Sequence, residues 1–133
     1  MSKVSILMSV FNGERFVQQA IGSLLAQTYR DFEFLIVDDA STDSTPQILN
    51  ELIRQDSRIR VLTNIANLGL TKSLNLALGQ AHGNFVARMD ADDIALPERL
   101  AKQVTFLDHH PNIGILGTAY QFIDGASRII GEK

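Results

Sequence analysis

Apolar residues along this chain alternate between two patterns, short continuous runs and spacings of three and four. "VSILMSV", Val4 to Val10, is a β-branched apolar run closed by the turn signal Asn12-Gly13-Glu14, which predicts a buried strand. Phe16, Val17, Ala20, Ile21, Leu24 and Leu25 then recur at helical spacing, with Asn12 as a plausible N-cap and Glu14 suited to the first turn. "EFLIVDD", Glu33 to Asp39, predicts a second buried strand, and "ASTDSTP" a polar loop after it. Ser44 or Thr45 can cap the next helix, Gln47 completes a capping box with Ser44, and Pro46 fits the first turn. That helix carries Ile48, Leu49, Leu52 and Ile53 on one face.

The alternation continues. Ile59 to Thr63 predicts a third strand, Asn64 to Gly69 a loop, and Leu70, Leu74, Ala77, Leu78 and Ala81 a short helix with Gly83 as its terminator. Asn84 to Met89 reads as the fourth strand, and Pro97 opens a helix to about His109 with Leu100, Val104 and Leu107 inward. Ile113 to Ile123 reads as the start of another strand, ending at a hairpin turn at Asp124-Gly125 with no evident partner. Strands alternating with helices of this length predict an α/β fold, a mostly parallel sheet with right-handed crossovers.

Composition narrows the function classes. At 133 residues, 45% apolar and 20% charged, the chain is the size of one soluble globular domain. A net charge of -3 without a basic block argues against a nucleic-acid surface. No cysteine is present, which excludes thiol nucleophiles and Cys-ligated zinc and fits a reducing compartment, so cytoplasm is the expectation. The apolar start lacks a signal-peptide pattern, and no run approaches the ~20 apolar residues of a membrane helix, leaving any membrane role peripheral.

The chemistry is acidic. Ligands of open α/β sheets bind outside the carboxyl ends of the strands, where strand two delivers Asp38 and Asp39 and strand four delivers Asp90, Asp92 and Asp93. Carboxylates crowded within ~6 Å repel one another unless a cation intervenes, and hard oxygen ligands suit Mg²⁺ or Mn²⁺ with positions left for water or phosphate. If "DADD" stays extended, Asp90 and Asp92 point the same way and Asp93 the other, free to cap the next turn. A bare D-x-D is equally the end of a strand and the start of a helix. An EF-hand lacks its glycine, and a response-regulator pocket lacks an acidic residue after the third strand. His82, His109 and His110 sit at helix ends, where a structural role outweighs metal ligation.

Four pieces in order, "SILMSVFNGERFVQQAIGSLLAQTY", "FLIVDDASTDST", "NLGLTKSLNLAL" with "HGNF", and "ARMDADDIALPERLAKQ", resemble the family 2 glycosyltransferases, from about Val4 to at least Asp124. The resemblance implies a GT-A fold and inverting transfer of a sugar from a nucleotide diphosphate, UDP above all, to an acceptor hydroxyl in surface polysaccharide or glycolipid synthesis. It implies nucleotide binding by Val10, Phe11, Glu14, Asp39, Asn67, Lys72 and Asp90. Asp39 would accept from the base, Asp90 lie near the ribose, and Asp92 hold a divalent metal, Mn²⁺ or Mg²⁺, that bridges the diphosphate. Arg88 is an ion-pair partner or a site residue with equal weight.

Ser9 stands where the family often has proline and Phe11 where tyrosine is frequent, which bears on nucleotide choice more than on family. The resemblance places the catalytic base and the acceptor half beyond Lys133, so the 133 residues read as the nucleotide-sugar-binding part. Asp108, Asp124 and Glu132 are better explained as a helix end, a turn and a tail. Localisation would be cytoplasmic, peripheral at the inner membrane face, and an apolar sheet edge around Ile113–Ile123 and Ile129-Ile130 suggests a homodimer. The alternative is a non-catalytic nucleotide-binding or assembly module of the same fold. A nucleotidyltransferase would want a Gly-rich basic loop after strand one, which "FNGER" does not supply.

Overall fold

Both faces of β1 (Val4–Val10) and β2 (Phe32–Asp38) are covered, which is why these strands are apolar at nearly every position instead of every second one. Ile6, Met8, Phe34, Leu35, Ile36 and Val37 are all completely buried. The computed structural model describes residues 2–133. β3 (Ile59–Thr63) and β4 (Phe85–Arg88) flank the central pair in one parallel sheet of order β3-β2-β1-β4.

Helices α1 (Val17–Leu25), α2 (Thr45–Gln55) and α3 (Leu70–Gly79) connect the strands, and α4 (Arg99–His109) follows β4. Right-handed crossovers from β1 to β2 to β3 put α1 and α2 on one face, and the reversal from β3 to β4 puts α3 on the other. There Ala77, with Leu74 and Ala81 beside it, packs on Leu7, Leu35 and Val37. The reversal makes a switch point at the carboxyl end of the sheet, between β1 and β4, where this class of fold takes its ligands.

Residues up to Lys102 make one compact unit and Gln103–Lys133 a second. In the second, β5 (Gln121–Ile123) and β6 (Ile129–Glu132) form an antiparallel hairpin extended by reciprocal Tyr120–Lys133 backbone bonds of 3.1 and 2.9 Å. Asp124 shapes the turn, accepting from Ala126 N at 2.9 Å and Arg128 N at 3.0 Å.

Several expected details are corrected. Residues 113–119 form no strand, because this stretch, which carries Gly114 and Gly117, has no ladder partner among the described residues. The strand that enters the Asp124 turn does have a partner, the strand that follows the turn, and Glu132 lies on that partner instead of in a tail. Asn12 does not cap α1. At φ 50° it turns its side-chain oxygen to Thr42 N at 2.8 Å, and the helix starts at Val17 without a side-chain cap. Ser44 and Gln47 form no capping box, since the Ser44 side chain makes no cap bond and Ser44 N donates to Glu14 Oε2 at 2.9 Å. Gly83 does not end α3, which stops at Gly79. Its missing side chain serves close packing instead, because a Cβ there would stand 2.5 Å from Ser5 N, and Gly83 N donates to Ser5 Oγ.

Candidate functional site at the carboxyl end of the sheet

The adjacent aspartates that leave β2 go to opposite faces, as strand alternation requires. Asp38, buried, accepts from Ser41 N at 3.0 Å and lines a cavity of about 340 Å³ beside α2, with Pro46, Leu49 and Val61. Asp39, 2% exposed, turns to the α3 side. Its Oδ1 accepts from Asn64 Nδ2 at 2.7 Å and Leu68 N at 2.8 Å, and its Oδ2 from Gly69 N at 2.8 Å. Burial opposes its ionisation, but these donors and the Ser73 hydroxyl outweigh that cost and hold the carboxyl below its ordinary range. Asp39 therefore shapes the Asn64–Gly69 loop. Asn67 reaches only the Asp39 carbonyl, at 3.5 Å, and Lys72 is exposed on the first turn of α3.

The loops after β1 and β2 are tied to each other. Asn12 N donates to Ser41 Oγ at 2.9 Å, Gly13 N to Thr45 Oγ1 at 2.9 Å and Glu14 N to Asp43 Oδ2 at 3.1 Å. In return Glu14 Oε2 accepts from Ser44 N at 2.9 Å. Glu14 is thus engaged between loops, and the Val10 side chain is buried, while its carbonyl accepts from Asp39 N at 2.8 Å. Phe11, half exposed, presents an open ring at this edge.

Beyond β4 the acidic segment is a turn, not an extended strand, because Asp93 N donates back to the Asp90 carbonyl at 3.3 Å. The alternation argument for Asp90 and Asp92 does not hold there. Arg88 pairs with Asp90 at 2.9 Å on the surface, which is its ion-pair reading. Burial pushes the Asp93 carboxyl above its ordinary range, and the charges of Asp92 and Asp90 add to the rise against partial relief from Arg99 and Arg88. Among the described residues no three His, Asp or Glu gather as a ready metal cage. The donor set still fits a hard divalent ion that takes its remaining ligands from phosphate and water, with Asp92 exposed and hard oxygens beside it.

The histidines have structural surroundings. His82 N donates to Glu33 Oε1 at 2.6 Å, and the His109 and His110 rings contact carbonyls one turn back. Asp124 is spent on its hairpin turn.

Comparison with known proteins decides the family. The profile described as Glycosyl transferase family 2 matches residues 5–131. The chain belongs to glycosyltransferase family 2. It is 39% identical to an uncharacterized glycosyltransferase of Haemophilus influenzae, covering 98% of this chain and 41% of that protein. It is 37% identical to the Escherichia coli UDP-Glc:alpha-D-GlcNAc-diphosphoundecaprenol beta-1,3-glucosyltransferase WfgD, covering 97% of this chain and 49% of that one. S. aureus TarS 1-349 in complex with UDP-GlcNAc superposes at a TM-score of 0.77 with 30% identity, over 91% of this chain and 40% of that one. The Pyrobaculum calidifontis mannosyltransferase PcManGT, in complex with GDP-Man and Mn²⁺, superposes at 0.75 with 25% identity, over 80% of this chain and 32% of that one. The parallel sheet is thus that of a GT-A glycosyltransferase, and the chain spans under half the length of these relatives.

Sequence reasoning missed part of this candidate site in the glycosyltransferase domain. Asn64 and Ser73 buttress Asp39, yet a loop Asn and a helical Ser carry no signal of their own. Ser23 and Gln27 did carry one, as polar residues at i and i+4 in step with the buried Ala20 and Leu24, Ser23 on α1 and Gln27 just past its end. Their partners, Ala95, Leu96 and Leu100, lie about seventy residues away, beyond any periodicity.

Proposed function

We propose that this family 2 domain binds a nucleotide-diphosphate sugar, UDP-linked, for inverting transfer to an acceptor hydroxyl in surface polysaccharide or glycolipid synthesis. The observation that carries the reading is geometric: the turn with Asp90, Asp92 and Asp93 and the loop held by Asp39 both lie at the carboxyl end of one sheet. Phe11 offers its face to the base, Asn67 and Lys72 line the pocket, Val10 and Glu14 shape the β1 exit, and Asp90 meets the ribose. Asp39 already accepts from Asn64 Nδ2, Leu68 N and Gly69 N, so a base N–H would take the acceptor position these three leave, where the rotatable Ser73 hydroxyl competes.

Asp92, with Asp90 beside it, would hold Mn²⁺ or Mg²⁺, and the ion would stabilise charge on the departing diphosphate. The reaction is a single displacement, with a carboxylate base, not assigned among residues 2–133, taking the proton of the attacking hydroxyl. A UDP-sugar joins WfgD and TarS to the reading, and the WfgD name supports a lipid-linked glycan acceptor. The proposed place of work is the cytoplasmic face of the membrane; no described helix is long and apolar enough to cross one.

Calorimetric titration of UDP, with GDP as comparator, in Mn²⁺ and in EDTA tests the donor reading. UDP binding that EDTA weakens strongly is the expected result; absence of binding by either nucleotide in Mn²⁺ rejects it. A homodimer through the exposed sheet edge is part of the proposal, resting on Ile129 and Ile130 at 63% and 68% exposure. Size-exclusion chromatography at rising concentration should show it, and a monomer throughout would remove it.

A further inference from the structure

Gln27 is 1% exposed, a buried amide just past the end of α1. Its Nε2 donates to the Leu96 carbonyl at 2.7 Å and the Ser23 carbonyl at 3.2 Å, and its Oε1 accepts from Leu100 N at 2.9 Å. Two neighbours add to the tie: Ser23 Oγ accepts from Ala95 N at 3.0 Å, and Thr28 N donates to the Pro97 carbonyl at 2.9 Å. Residues 95, 96, 97 and 100 are all bound to the end of α1. Between these anchors stands Arg99, whose Nη2 donates to the Arg88 carbonyl at 2.9 Å. The loop carrying Asp90, Asp92 and Asp93 is thereby closed at its strand end by Arg99 and at its helix end by Gln27.

We propose that Gln27 is a positioning residue for the acidic turn, acting through the 95–100 segment and Arg99; this rests on the donor-site reading above. The physical need is plain. Three neighbouring carboxylates repel, and an untethered loop would relieve the repulsion by spreading them before any cation arrived. A loop already held in one shape loses less entropy when it takes up a divalent ion. Only glutamine suits the position: Glu has no donor for the Leu96 carbonyl, Asn is one methylene short, and Leu fills the space without either bond.

The test compares Gln27→Leu, Gln27→Glu and the milder Ser23→Ala with Leu52→Ala, a buried α2 substitution outside the tie. Two readouts are taken on the 133-residue chain: amide hydrogen exchange across residues 88–100 without ligand, and UDP affinity in Mn²⁺ and in EDTA. Expected for the Gln27 variants is about tenfold or more faster exchange there and about tenfold weaker Mn²⁺-dependent UDP binding, the scale seen when groups behind a metal ligand are removed. Ser23→Ala should move both less, in the same direction, and Leu52→Ala, at equal or greater loss of Tm, neither. Variants that lower Tm while leaving local exchange and Mn²⁺-dependent affinity as in the wild type would overturn the proposal. Should the wild type bind no UDP in Mn²⁺, the donor reading fails by itself, and unchanged or accelerated exchange still decides whether Gln27 holds the loop.

Discussion

Asp39→Asn is expected to destabilise the protein by about 3 kcal/mol at neutral pH, because an amide cannot replace a carboxylate that faces only donors. Its single oxygen can keep Asn64 Nδ2 and Leu68 N, but its NH₂ then meets Gly69 N, and two buried donors are left without an acceptor. The pH dependence has a definite sign. The folded carboxyl lies below its ordinary range, so its contribution is complete above the unfolded value of about 3.9 and is lost as pH falls through the lower folded value. Urea unfolding should show the gap between wild type and variant narrowing through that acid window. A gap that is constant from pH 7 into acid would mean that the charge of Asp39 contributes nothing.

Asp92→Ala is expected to weaken UDP binding in Mn²⁺ on the order of 100-fold, which is about 2.8 kcal/mol at 1.4 kcal/mol per tenfold. In EDTA the sign reverses. There the wild type sets an uncompensated carboxylate against the diphosphate, so the variant should bind UDP at least as well as the parent. Both arms come from the same titrations, and the fold should be unaffected because Asp92 is exposed. Equal losses in Mn²⁺ and EDTA would show that Asp92 supports the loop and does not hold the ion.

Much of this molecule was legible in one dimension. Strands β1 and β3 fall on the expected residues, because a buried parallel strand must be apolar on both faces and its turn residues must follow at once. The acidic ends of β2 and β4 were equally plain. Local signals misled where a side chain had a better distant partner. Asn12 and Ser44 have the chemistry of helix caps, yet each sits in the tie between two loops that only the pairing of β1 with β2 brings together. Gly83 looked like a helix stop, and its real constraint is the backbone of Ser5 seventy-eight residues away.

The sequence by itself determined the α/β alternation and the acidic carboxyl ends, since each follows from residue type at short spacing, and its four motifs in order carried the resemblance to the family. The tertiary structure decided what the carboxylates do. It sent Asp38 and Asp39 to opposite faces, spent Asp39 on the Asn64–Gly69 loop, and folded Asp90–Asp93 into a turn closed by Gln27 and Arg99. The reason is that a buried polar group must find a partner wherever the chain supplies one. Which donor meets which carboxylate is therefore set by the crossover path of the sheet.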